Sequence, residues 1–194
     1  MTVPYVIETD EKNNDRVYDL YSRLLKDRII FIRGTFEENM SNSIVAQLLF
    51  LESQDAQKDI YMYIDSHGGE LGAMYAIFDT MQYVRPEICT IGIGKAMSAG
   101  SFILAAGTKG KRFALPNAQI MIHELASGTQ GKVNEIVNEY NHVMTLYEKM
   151  ANYYVEFTGQ PLKKIKRDMQ KDFYMTAEEA KKYGLVDEVH YRRG

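Results

Sequence analysis

The stretch Ile88-Cys-Thr-Ile-Gly-Ile-Gly-Lys-Ala-Met-Ser-Ala-Gly-Ser-Phe-Ile-Leu-Ala-Ala-Gly107 carries the chain from one hydrophobic period to another. Its first part, 88–93, is a short apolar run that reads as a buried strand. The apolar run from Phe102 to Ala106 reads as a buried helix with Ser98 at its first turn. A helix start leaves backbone N–H groups unpaired, and an oxyanion forming beside a serine oxygen needs such donors. Small residues on both sides of Ser98 let a substrate backbone come close. The spacing Gly-x-x-x-Ser-x-Gly differs from the Gly-x-Ser-x-Gly elbow of α/β-hydrolases. Taken alone, Ser98 equally suits an ordinary helix N-cap.

On either side of this stretch, helical and strand periods alternate. Asp15 to Asp27 reads as an amphipathic helix with Val17, Leu20, Tyr21, Leu24 and Leu25 on one face. A strand is expected at 28–33, a helix at 40–51, and a strand at 59–65 ending in the turn Ser66-His67-Gly68-Gly69. A helix from Glu70 to Val84 stops ahead of Pro86. Beyond the Ser98 helix come short strands near 111–115 and 118–123, a capping box at Thr176-Ala-Glu-Glu179, and a closing strand at 185–189. This βαβ order argues for an α/β fold with mostly parallel strands and right-handed crossovers. Ligands of such folds bind beyond the C-terminal ends of the strands. Gly68, Gly69, Ser98 and His123 all fall at or just past such ends.

The helix from about Lys132 to Phe157 has apolar residues at Ile136, Tyr140, Val143, Tyr147, Met150, Tyr154 and Phe157, stepping four and three in turn. It is about 40 Å long, more than a domain of this size needs. The seam therefore either projects toward a copy of the chain or another partner, or lies along its own core.

At 194 residues, with 45% hydrophobic and 25% charged, the chain suits one compact domain. A net charge of −3 gives no basis for a nucleic-acid or anionic-membrane partner. The single cysteine, Cys89, excludes an internal disulfide and fits a buried strand position in a reducing compartment. The start of the chain lacks a signal-peptide pattern, and no run of about 18 apolar residues exists, so a cytoplasmic location is expected. The four histidines are scattered and no Cys/His cluster exists, so no metal is expected. Nucleotide-binding glycine motifs are absent.

Serine hydrolysis needs a nucleophile, a base, and a group that orients the base. Ser98 is the candidate nucleophile, and His123, directly after the apolar strand, is the best-placed base. His67, His142 and His190 are weaker candidates. Glycine at 68–69 lets a backbone N–H face a developing oxyanion. The orienting acid stays open among Asp65, Asp79, Asp168, Asp172 and Asp187.

Nearly the whole chain resembles the proteolytic-subunit (ClpP) family of the Clp proteases. The resemblance runs through Tyr18–Ile30, Ser43–Leu49, Ala106–Phe113, Met121-Ile-His123 and Tyr183-Gly-Leu-Val-Asp187. It implies a single peptidase domain over 1–194 with a crotonase-like spiral of βαβ units. The helix at about 132–158 would be the projecting handle, and the segment 1–17 would lie at the axial pore. The implied catalytic set is Ser98, His123 and Asp172, with the N–H groups of Gly69 and Ala99 as oxyanion donors and no metal or organic cofactor. The resemblance further implies two stacked heptameric rings enclosing the sites, unfolded polypeptides as substrates, and an AAA+ unfoldase docked on Tyr61, Tyr63 and Phe113. Families of this kind often lose a propeptide, and Met1 lies close to the expected mature start.

The chain departs from the family pattern at three places. His67 replaces a proline, Glu124-Leu125 replaces Gln-Pro, and Gln170-Lys171 replaces an acidic residue and arginine that pair across the ring interface. These departures motivate a second reading, a weakly active structural or regulatory ring subunit that needs an active paralogue in mixed rings. An acyl-CoA enzyme on the same scaffold is a third reading; it would need no triad.

Overall fold

A computed structural model describes residues 3–9, 13–128 and 130–192. The chain opens with a hairpin: β1 (Tyr5–Thr9) pairs antiparallel with β2 (Asp15–Asp19). The helix expected over 15–27 is thus half strand. Helix α1 (Leu20–Lys26) starts only at the Asp19 N-cap, whose carboxylate accepts the Ser22 N–H at 3.0 Å. Val17, assigned to the apolar face of that helix, is instead a solvent-facing strand residue. Pairing with β1 holds 15–19 as a strand, and the Asp19 N-cap then starts the helix.

The body follows the alternating order. It comprises β3 (Ile29–Phe36), α2 (Glu38–Gln54), β4 (Ile60–Gly69), α3 (Leu71–Tyr83), β5 (Ile88–Met97), α4 (Ala99–Ala105), β6 (Arg112–Ala114) and β7 (Gln119–Ile122). Helix α5 (Val133–Thr158) then leads to α6 (Leu162–Met169), β8 (Phe173–Thr176), α7 (Ala177–Tyr183) and β9 (Glu188–Val189). Strands β3, β4, β5, β6 and β9 lie side by side and parallel. Strand β5 serves two neighbours in succession: Thr90–Gly92 pair with β6, and Lys95–Met97 pair with β7. Strand β8, not expected from the residue pattern, adds antiparallel to β7. The capping box at Thr176 and Glu179 opens α7 as expected.

Alternation on β4 puts Ile60, Met62 and Ile64 inside, against Leu48, Ile77, Phe102 and Leu104 of the helices. Each such side chain contributes about 1.5–3 kcal/mol on burial. The opposite face carries Tyr61 and Tyr63, and the register Phe31–Tyr63–Ile91–Phe113 runs straight across four strands. Phe31 stacks on Tyr63 at 5.4 Å and Phe113 on His190 at 4.0 Å.

Helix α5 divides between the two fates open to its seam. Its C-terminal half is anchored: Phe102 meets Tyr153, Tyr154 and Phe157 edge-on at 5.3–5.8 Å, and Met150, Ala151 and Tyr154 are buried. Its N-terminal half stands in solvent, with Val133, Ile136, Val137, Tyr140 and Met144 exposed. Among the described residues no helix is long and apolar enough to cross a membrane.

Arg112, 4% exposed, ties these parts together. Its guanidinium donates to Asp187 at 2.6 and 3.0 Å, to the Phe157 carbonyl ending α5 at 2.9 Å, and to the Ala105 carbonyl of α4 at 3.2 Å. Burial alone would raise the Asp187 carboxyl; the Arg112 guanidinium and the N–H groups of Arg112 and Gly110 outweigh it and hold it below the ordinary carboxylate range. Asp187 therefore adds stability above the unfolded-state carboxylate pKa, and that stability is lost as pH falls through the lower folded-state value. Asp187→Ala leaves a buried cation unpaired and should cost about 3–5 kcal/mol. Urea unfolding as a function of pH checks both points: the gap between the parent and Asp187→Ala should close as the medium becomes strongly acidic.

Candidate active site

Three chain segments converge at one end of the sheet, and backbone geometry brings them there. The first is the end of β4. The expected turn at 66–69 is absent: Gly68 and Gly69 stay extended in the sheet, paired with Thr35 and Phe36. Ser66 is fully buried; its hydroxyl donates to the Gly34 carbonyl and accepts the Gly68 N–H at 3.0 Å. Both glycines have positive φ, +104° and +153°. A β-carbon on Gly69 would run into the Phe36 backbone, and one on Gly68 would sit 2.6 Å from Ser98 Cβ and 3.0 Å from Ala99 N. The strand backbone thus lies directly against Ser98. The Glu70 N–H donates to the Phe36 carbonyl at 2.8 Å. By strand alternation the Gly69 N–H points away from β3, free of the ladder.

The second segment is the junction of β5 and α4. Ser98 holds φ +54° and ψ −121°, a conformation that L-residues avoid at a cost of roughly 1–3 kcal/mol. Its N–H donates to the Met121 carbonyl at 2.9 Å, and its carbonyl takes the Phe102 N–H at 3.1 Å and the Ser101 hydroxyl at 2.7 Å. The side chain makes no cap hydrogen bond, so the N-cap role that the sequence left open is not how the hydroxyl is used. Ser101 also meets the buried Tyr154 hydroxyl at 3.0 Å, which couples α5 to the backbone of Ser98. Burial raises the Tyr154 phenol well above its ordinary range.

The third segment is the β7–β8 pair. Met97 lies opposite Met121 and Ile122 opposite Phe173, so the next antiparallel pair is His123 with Asp172. His123 Nδ1 stands 3.3 Å from Asp172 Oδ1. Asp172 Oδ2 accepts the Tyr174 hydroxyl at 3.3 Å, and the Asp172 charge raises the Tyr174 phenol. The Asp172 side chain is 54% exposed.

Of the five acids left open by spacing, Asp172 pairs with a histidine near Ser98. Asp187 is held by Arg112, Asp168 by Lys164 and Arg167, and Asp65 by Arg33; Asp79 lies on the exposed side of α3. Among the alternative bases, His142 is exposed on α5 and His190 is stacked on Phe113. A cavity of about 360 Å³ is lined by Ser98, Ala99, Gly69, His67 and His123, over an apolar floor that includes Met74 and Met150. Ser98 and His123 share its wall, with no hydrogen bond formed between their side chains among the described residues. Ser66, Ser101, Tyr154 and Tyr174 were not anticipated. Only Tyr154 carried a signal, as a member of the long-helix seam, and nothing in the sequence marked its hydroxyl as polar furniture of the site.

A serine and a histidine thus share one cavity wall, with a carboxylate beside the histidine, on a parallel α/β scaffold. A family model described as Clp protease matches residues 11–193, and the chain belongs to that family. Its activity is accordingly that of a serine-type endopeptidase with a proteolytic role.

The close contact of Gly68 with Ser98 gives a test by contrast. Gly68→Ala should lose about 1–3 kcal/mol of stability through clash and backbone strain, and its peptidase activity with it. Gly72→Ala, in α3 with nothing within 4 Å of an added β-carbon, should be neutral or gain up to about 1 kcal/mol. Thermal unfolding of the two variants beside the parent checks this.

Proposed function

We propose that this chain cleaves unfolded polypeptides by acyl transfer through Ser98, His123 and Asp172. His123 removes the Ser98 proton as the oxygen attacks the substrate carbonyl. Asp172 holds the imidazole in the tautomer with Nδ1 protonated and stabilises its charged form. The N–H groups of Gly69 and Ala99 receive the oxyanion. His123 then protonates the leaving amine, and water releases the acyl group by the same steps in reverse. The observation that carries this reading is the 3.3 Å pair of His123 and Asp172 on the wall that Ser98 shares. Catalytic hydrogen bonds often tighten only when substrate is bound, so the open Ser98–His123 pair is compatible with it.

The scaffold reads as a single crotonase-like domain, a spiral of βαβ units, which the parallel sheet and the fork of β5 support. The exposed apolar half of α5 supports the handle that joins two heptameric rings around the sites. The aromatic face with Tyr61, Tyr63 and Phe113 supports docking of an AAA+ unfoldase, Tyr61 being 41% exposed. The segment 1–17 would line the axial pore; residues 1–2 and 10–12 of it lie outside the described residues.

A second reading, a poorly active ring subunit that relies on a paralogue, is favoured by one observation: Asp172 is more than half exposed, so water competes for the carboxylate that should orient His123. Hydrolysis of a short fluorogenic peptide by the purified protein alone separates the two. Turnover that falls roughly four orders of magnitude in Ser98→Ala, and at least about a hundredfold in Asp172→Asn, supports the self-sufficient triad. Folded, ring-forming protein without turnover supports the second reading.

A further inference from the structure

We propose that Glu70 and Glu124 form an acidic rim on the catalytic cavity that selects polypeptides with lysine or arginine beside the cleaved bond and disfavours acidic neighbours. The inference rests on the Ser98 reading above and names its substrate class.

Both carboxylates stand one residue from the reacting groups. Glu70 follows Gly69, the proposed oxyanion donor, and Glu124 follows His123, the proposed base. Both line the same cavity of about 360 Å³ as Ser98. Their backbones are pinned: Glu70 N–H to the Phe36 carbonyl at 2.8 Å, and Glu124 N–H to the Met169 carbonyl at 2.8 Å. Both carboxylates therefore start from fixed backbone at the edge of the cavity that Ser98 lines.

Neither has a cation. Among the described residues no ion pair or side-chain hydrogen bond reaches Glu70 or Glu124, and the cavity lining contains no lysine or arginine. Lys166 is paired with Glu148. Burial first, and then the Glu124 charge, raise the neighbouring Tyr147 phenol, while Lys166 lowers it. The other titratable groups of the lining are His67, His123 and Tyr154, and the Tyr154 hydroxyl is satisfied by Ser101.

The cavity floor, with Leu71, Met74 and Met150, suits an uncharged side chain. Discrimination by charge therefore falls on the residues flanking it, whose aliphatic stems can lie along the rim with the cation at a carboxylate. Exposed pairs of this kind are individually weak and salt-sensitive, so they bias the choice of bond without trapping product.

The test uses two fluorogenic peptides with the same apolar residue at the cut, flanked in one by lysine and in the other by glutamate. For the intact protein at low salt, kcat/KM should favour the lysine peptide by roughly threefold to tenfold. The ratio should fall toward one in Glu70→Gln/Glu124→Gln and in high salt. A parent ratio near one, or a ratio unchanged in the double variant, overturns the proposal. If the parent cuts neither peptide, the Ser98 reading has failed instead, and the rim is read by binding. Fluorescence anisotropy on Ser98→Ala should then show the lysine peptide bound severalfold tighter, an advantage lost when both glutamates are replaced. Equal binding of the two peptides overturns it.

Discussion

The backbone of Gly68 packs against Ser98 and that of Gly69 against Phe36, with no room for a β-carbon on either, and the site depends on those contacts. The two glycines continue β4 beyond the point where β5 ends its pairing with it, at Ser66 and Ala96. A chain with side chains here would have to turn away or push Ser98 out of place. Because it does neither, Gly69 and Ser98 line one cavity. The unusual φ of Ser98 is held by hydrogen bonds on both sides of its peptide, from β7 and from α4. Strain at the serine is thus balanced by ladder bonds rather than by its own side chain, which leaves the hydroxyl uncommitted.

The rest of the fold keeps that end of the sheet fixed. Strand β5 splits its pairing between β6 and β7, so β7 runs past Ser98 and places His123 on the cavity that Ser98 lines. Strand β8 then brings Asp172 by register alone. Arg112 closes the other end, joining α4, the last turn of α5 and the segment before β9 through one buried guanidinium. With its lower half locked by Arg112 and the Phe102 aromatic cluster, α5 can present an exposed apolar upper half without loosening the core. The Ser101–Tyr154 bond runs from that helix to the backbone of Ser98, so a shift of α5 has a direct mechanical path to the site.

Much of this was legible in the residues. The strand–helix alternation, the break before Pro86, the Thr176 capping box and the long seam all rest on local chemistry, and all appear where that chemistry puts them. The misreadings have equally local causes. Asp15–Asp19 followed helical spacing, yet its pairing with β1 decided its form. Gly68-Gly69 has the composition of a turn, and only contact with Phe36 and Ser98, far away in sequence, makes it a strand. The pairing of Asp172 with His123 could not be chosen by spacing among five acids; it follows from β8, a four-residue strand too short to announce itself. Glu70 and Glu124 were visible as residues, but their shared lack of a cation is a fact of three dimensions.

We propose that this geometry makes Ser98 a nucleophile that depends on His123. The direct measurement is covalent labelling with a fluorophosphonate, followed by peptide mapping in the mass spectrometer. One adduct on Ser98, abolished in His123→Ala with the fold intact, is the predicted result. A folded parent protein that takes up no label, or takes it on another serine, would rule out Ser98 as that nucleophile.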